Sequence, residues 1–173
     1  LLARRQQAER EVPAGPSVLA AHTARVAVET DYELYQLFGN ASAELNYIGD
    51  LFAYSSSVYD REIDTTLLVS YVRLWTSAAD PWGQTSSQCG FFEFGRHWNQ
   101  NMSGVSRTIA HFLSGKSTGG GIAWVGVLCS GGFTVDLGGS CPGLTPQVDA
   151  YGGAYGFSGA IEGSFNLGSP SQV

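Results

Sequence analysis

The sequence predicts an α/β fold in which a mostly parallel, twisted sheet is built through helical crossovers. Three observations carry that expectation. Between Arg25 and Cys129 the chain alternates strand, helix, strand, helix, strand, and parallel neighbours need long connections that pack back onto the sheet. Residues 65–75 (Thr-Thr-Leu-Leu-Val-Ser-Tyr-Val-Arg-Leu-Trp) are almost continuously apolar at their start, as suits a strand covered on both faces. Residues 41–59 carry apolar side chains at Leu45, Ile48, Phe52 and Tyr59, steps that mark one helical face.

Each element has its own local reason. Residues 1–11 are polar with helical propensity, and Pro13-Ala-Gly-Pro16 breaks them. Residues 1–20 therefore read as the tail of a preceding segment plus a linker, and residues 21–173 as one domain. Residues 25–30 (Arg-Val-Ala-Val-Glu-Thr) alternate and hold two valines, the first strand, and Asp31 can cap the next element. In the long helix Ser55 and Ser56 are small enough for close packing on the sheet. Asp80-Pro-Trp-Gly83 is a turn. Residues 91–98 and 106–113 form a second helical region, residues 122–129 the third strand, and residues 154–162 one further strand in a glycine-rich remainder.

Composition narrows the function. A chain of 173 residues buries one core. A net charge of −6 argues against nucleic acid, which rewards basic grooves, and against anionic membrane surfaces. No apolar run approaches the roughly 20 residues of a membrane helix. The first ten residues hold charges where an export signal needs an apolar core. The cysteines Cys89, Cys129 and Cys141 lie in loop-like stretches, which leans towards an oxidising compartment. Cys129 and Cys141 flank a glycine-rich loop and are candidates to close it with a disulfide; three unpaired thiols are the alternative. Asn40-Ala-Ser42 and Asn101-Met-Ser103 fit the glycosylation sequon, too short a pattern to add much.

Several motifs fail on context. Residues 110–117 (Ala-His-Phe-Leu-Ser-Gly-Lys-Ser) fit a permissive phosphate-loop pattern, but that loop must lead into a helix, and a strand is expected after it. The plainer reading is a helix end capped by Gly115 with Lys116 near its negative pole. Residues 156–160 (Gly-Phe-Ser-Gly-Ala) nearly match a nucleophile elbow, yet no helix and no histidine come after them. His22, His97 and His111 are too scattered for a local zinc motif, and Glu93 with His97 reads as a surface pair at i, i+4. No catalytic group is evident within the chain.

The helix 41–62, the strand ending Val69-Ser-Tyr-Val-Arg-Leu-Trp75 and Gly121-Ile-Ala-Trp-Val-Gly-Val-Leu-Cys129 resemble successive landmarks of the reprolysin (adamalysin/ADAM-like) zinc metallopeptidases of the metzincin clan. Ala110-His-Phe-Leu-Ser-Gly115 resembles the core of that family's second helix, with Arg107-Thr108 where a His-Asp pair usually opens it. Ser158-Gly-Ala-Ile-Glu-Gly163 resembles the antiparallel edge strand. The resemblance spans residues 24–162. It implies the N-terminal subdomain of a secreted metalloendopeptidase acting on peptides or proteins, with residues 1–20 at a propeptide junction. The zinc helix, H-E-x-x-H-x-x-G-x-x-H, would come after the edge strand and lie beyond Val173. It would supply the histidine ligands and the glutamate that deprotonates zinc-bound water.

On that reading zinc belongs to the intact parent, and this chain alone binds none and is inactive. Cys129 would pair with a cysteine in the missing part. The strand 154–162 would be the edge on which substrate docks, through Phe157, Ser158, Gly159, Ala160 and Ile161, with Gly159 allowing close approach. The rival reading is a non-catalytic extracellular α/β binding module.

Overall fold

The computed structural model describes residues 22–128, 130–145 and 150–164. Strand β1 (His22–Thr30) leads through a short helix α1 (Tyr32–Phe38) into the long helix α2 (Ala41–Ile63) and back to β2 (Thr65–Arg73). Helix α3 (Ser87–Asn101) precedes β3 (Ile109–Leu113), with β4 (Gly121–Ala123) and β5 (Tyr155–Ser158) after it. The sheet order is β2-β1-β3-β5-β4. Pairs β1–β2, β1–β3 and β3–β5 are parallel, and β4 alone runs antiparallel, at an edge. The expected class, a mostly parallel sheet with two crossover helices and an antiparallel edge strand, is the one observed.

Local chemistry starts and stops the helices. Asp31 caps α1 by accepting the Leu34 N–H at 2.8 Å, as its place after β1 suggested, and Gly39 at φ 69° closes that helix. Asn40 caps α2 by accepting the Ala43 N–H at 2.8 Å. Ser56 of α2 accepts the Leu67 N–H at 2.9 Å, so one of the two small serines does bind the helix to β2. Two cores result, one on each face. Val26, Val28, Leu34, Ile48, Phe52 and Leu113 pack beneath α2. Ala27, Phe94, Trp98, Ala110, Phe112 and Phe157 pack beneath α3.

Three expected elements change. Residues 106–113 do not extend a helix: Ile109–Leu113 is β3, the middle strand of the sheet. Ala110 and Phe112 point into the α3 core while Ile109 and Leu113 meet the α2 core, a period of two that feeds both layers. Residues 110–115 therefore are not the core of a second helix, and Gly115 caps none. The third strand shrinks to Gly121–Ala123, since Gly126 at φ 73° turns the chain soon afterwards. Residues 154–162 contain β5 only at Tyr155–Ser158, and β5 lies between β3 and β4 instead of at the edge.

The disulfide joins Cys89 to Cys141. Cys141 is therefore not available to Cys129, which lies outside the described residues, and the expected Cys129–Cys141 closure is corrected. Both bonded residues are buried in the α3 core, where the first turn of α3 brings Cys89 beneath the loop that carries Cys141. The expected linker, residues 1–20, also lies outside the described residues.

Candidate functional site

The free edge formed by β4 is the feature of the sheet best suited to binding an extended chain. The Gly159 N–H donates to the Gly120 carbonyl at 3.0 Å. The register places Gly121 opposite Ser158, Ile122 opposite Phe157 and Ala123 opposite Gly156. Antiparallel pairs alternate between bonded and non-bonded partners. Counting from the bonded pair 120–159, Ile122 bonds to Phe157, and the N–H and C=O groups of Gly121 and Ala123 point away from β5. Both residues are exposed. The edge thus presents two donors and two acceptors flanked by the smallest side chains.

Beside this edge runs a groove of about 750 Å³ between α2 and the sheet. Tyr47, Leu51, Ser55 and Tyr59 line it every four residues along α2, beside the buried Glu44, Ile48 and Phe52, the last of which also reaches it. Leu67, Ile109, His111 and Leu113 contribute from the sheet, and Ser158 to Glu162 form the opposite side. His111 Nε2 lies 2.9 Å from Ser158 Oγ. Burial lowers the imidazole to about 4, so it is neutral at ordinary pH. Gly156 makes room for that ring: a Cβ there would sit 2.6 Å from His111 Nδ1.

The expected docking residues are redistributed by this geometry. Ser158, Gly159, Ala160 and Ile161 come together along the groove, whereas Phe157 is buried in the α3 core, its ring 5.4 Å from that of Phe112. The N–H groups of Gly159, Ala160 and Ile161 are already donated to Gly120, Lys116 and Ser114. The close approach that Gly159 permits is made by Thr118 of the same chain. The N–H and C=O groups left open along this edge are those of Gly121 and Ala123, at the opening of what the sequence read as the third strand.

A second cluster, of buried acids, gave no signal in the sequence. At the end of β1, Glu29 accepts the indole N–H of Trp75 at 2.8 Å and that of Trp98 at 2.7 Å, with Arg73 3.6 Å away. Burial raises its carboxyl, and the two indoles and Arg73 oppose the rise. This ties β1 to β2 and α3 and leaves no oxygen over for a ligand.

Glu44, fully buried in the first turn of α2, is the more unusual group. The Thr30 hydroxyl is the polar group beside its oxygens, and no hydrogen bond of good geometry holds either of them among the described residues. Burial is the main cause that lifts its carboxyl to about 7; the Asp31 charge adds to the rise and the Thr30 hydroxyl opposes it. Between 4.5 and about 7 the folded chain holds this proton and an unfolded one does not. Stability from this group is therefore full below about pH 4.5, falls as pH rises through that window, and is flat above it. Glu44→Gln should remove up to ~3 kcal/mol of that slope. Thermal melts from pH 5 to 8 check this: the variant should melt above the parent at pH 8, and parallel curves would refute it.

Lys116 and the sequence around it do not form a phosphate site. Strand β3 runs through the first half of residues 110–117 instead of ending before them, and the element after them is β4 and not a helix. Lys116 Nζ donates to the Trp82 carbonyl and lies 3.8 Å from Glu33. Among the described residues no three His, Cys, Asp or Glu side chains are grouped to hold a metal ion. His111 is tied to Ser158 in the sheet, and His97 stacks edge-on against Trp82, 5.0 Å away, on α3. His22 begins β1. The histidines of this chain do not fit a zinc site.

The model of the Metallo-peptidase family M12B, Reprolysin-like, matches residues 45–155. This chain belongs to that family. The match runs from the first turns of α2 to the start of β5 and so takes in the edge strand and most of the groove. A solved structure described as a chaperone–substrate complex aligns with a TM-score of 0.52 at 10% identity, over 81% of this chain and 23% of that one. This is a likeness of fold alone, and the chain spans less than a quarter of that protein's length. No curated protein matches.

Proposed function

We propose that this M12B chain is the sheet-bearing N-terminal part of a secreted zinc metalloendopeptidase, and that β4 is the strand on which an extended substrate docks. The carrying observation is the pair of outward-facing peptide groups at Gly121 and Ala123, beside an open groove. An extended peptide adding to them gains backbone hydrogen bonds regardless of its sequence. The zinc ligands belong to a part of the parent beyond this chain, because the histidines here do not come together. The groove along α2 is the seat for that part, because the four-residue stripe on α2 that lines it suits a packed helix. The buried Cys89–Cys141 disulfide supports an oxidising compartment.

The test is made on the intact parent. Chelation should abolish peptide hydrolysis, and added zinc should restore it. Ala123→Pro then removes one outward donor while sparing the bonded pair Ile122–Phe157, and proline is tolerated where a strand's N–H faces solvent. KM for extended peptides should rise at least ~10-fold, the loss of about one well-made hydrogen bond, with zinc content unchanged. Gly159→Pro would be a poorer probe, since the Gly159 N–H holds β5 to β4. An Ala123→Pro enzyme with parental KM would remove β4 from the docking role. A parent that binds peptides but neither holds zinc nor cleaves them would be a binding module instead.

A further inference from the structure

We propose that Val125 selects among the peptides that dock on β4, favouring an aliphatic side chain at the peptide position beside it. This rests on the reading of β4 as the docking strand and adds to it a substrate class.

Along residues 121–125 the side chains alternate. Ile122 and Trp124 pack onto the α3 core, Trp124 against Phe91 at 5.4 Å and Phe133 at 5.3 Å. Gly121 and Ala123 face the other way and offer a hydrogen and a methyl. Strand β4 ends at Ala123, and Val125, in the bend that follows, continues the alternation of exposure: it is 95% exposed, the most exposed large apolar side chain among the described residues. Leu128, three residues on, is 65% exposed. Gly126 at φ 73° turns the chain directly after Val125, so the strip of edge side chains ends there.

A strand added to an antiparallel edge places each residue on the same face as its opposite neighbour, with Cβ atoms about 4.5–5.5 Å apart. Opposite Gly121 and Ala123 a peptide side chain meets a nearly flat surface, which discriminates little. At Val125 it meets a branched apolar group that water now covers, and an aliphatic partner gains by removing that water. No charged residue occurs from Gly121 to Leu128, so nothing on this stretch rewards a charged partner. The discrimination is therefore confined to one peptide position and to apolar character.

The experiment uses the intact parent and a positional peptide library, comparing Leu, Ala, Lys and Asp at each position by kcat/KM. One position should prefer Leu over Ala by up to ~5-fold, the upper range of a cross-strand apolar pair. Val125→Asp should turn that same position towards Lys and leave the profile at the other positions unchanged. Val125→Ser should flatten it. Both variants change an exposed side chain, and a zinc determination confirms that they are intact. Superimposable profiles for the parent and Val125→Asp would overturn the proposal while leaving β4 as the docking strand. Failure of the parent to cleave any library member would overturn the peptidase reading, and this inference with it.

Discussion

Replacing Asp31 with alanine should cost the fold about 3–5 kcal/mol, summing a lost cap and unpaired buried donors. The carboxylate is fully buried at the carboxyl end of β1. One oxygen accepts the Leu34 N–H at 2.8 Å and the Gly115 N–H at 2.9 Å, and the other accepts the Ser114 hydroxyl. One side chain thus caps α1 and joins the ends of β1 and β3, two strands whose parallel pairing runs up to Thr30 and Leu113. Alanine would leave both N–H groups without an acceptor in a place water does not reach. Asparagine separates the contributions. Its carbonyl oxygen can keep both N–H groups, and the Ser114 hydroxyl can turn to accept from its amide, so Asp31→Asn should cost only about 1–2 kcal/mol. Urea unfolding of the two variants, monitored by tryptophan fluorescence, gives the comparison. Equal losses below about 1 kcal/mol would show that Asp31 does not join the two strands.

That joint was half legible. An aspartate directly after an alternating run reads as a cap, and it is one; its bonds to Ser114 and Gly115 span more than eighty residues and leave no local trace. The same division runs through the fold. Strands β1 and β2 and helix α2 are long, and their periodicities are unambiguous over nine residues or more. Residues 109–113 are only five, and Ile-Ala-His-Phe-Leu satisfies a helical step as readily as an alternating one. Which strand takes the edge depended on partners: Tyr155–Ser158 has the stronger alternation, but Gly121–Ala123 ends up outside because β5 slots beside β3. The groove-lining stretch from Ser158 to Ile161 was found by its small residues. The bonds that its N–H groups make from Gly159 to Ile161 reach Gly120, Lys116 and Ser114, partners distant in sequence that leave no local trace. The resemblance to reprolysins gave the family correctly and misplaced two of its elements, the second helix expected over residues 106–113 and the edge strand.

Pairing of cysteines is the case where local reading has least power, because three cysteines allow three single bridges and spacing does not choose among them. The bond observed, Cys89–Cys141, closes the widest of the three, across 52 residues of sequence. Its removal should be expensive for that reason. A cross-link restricts the unfolded chain more as the loop lengthens, and a loop of this size corresponds to about 4 kcal/mol. The folded state adds to the cost: both sulfurs are buried in the α3 core, at the first turn of the helix that packs on β5 and β4. Cys89→Ser with Cys141→Ser would bury two hydroxyls there, so Ala at both positions is the cleaner substitution, isolating the loss of the cross-link from the burial of polar groups. The double alanine variant should unfold at correspondingly lower urea with an increased m-value, since its unfolded chain is freer to expand. Peptide mapping without reductant should recover residues 89 and 141 in one linked fragment from the parent protein. If Cys141 were found joined to Cys129, or if the double alanine variant lost less than about 1 kcal/mol, the bridge would not be holding the loop of residues 130–145 over α3; only free thiols at all three cysteines would remove the support for an oxidising compartment.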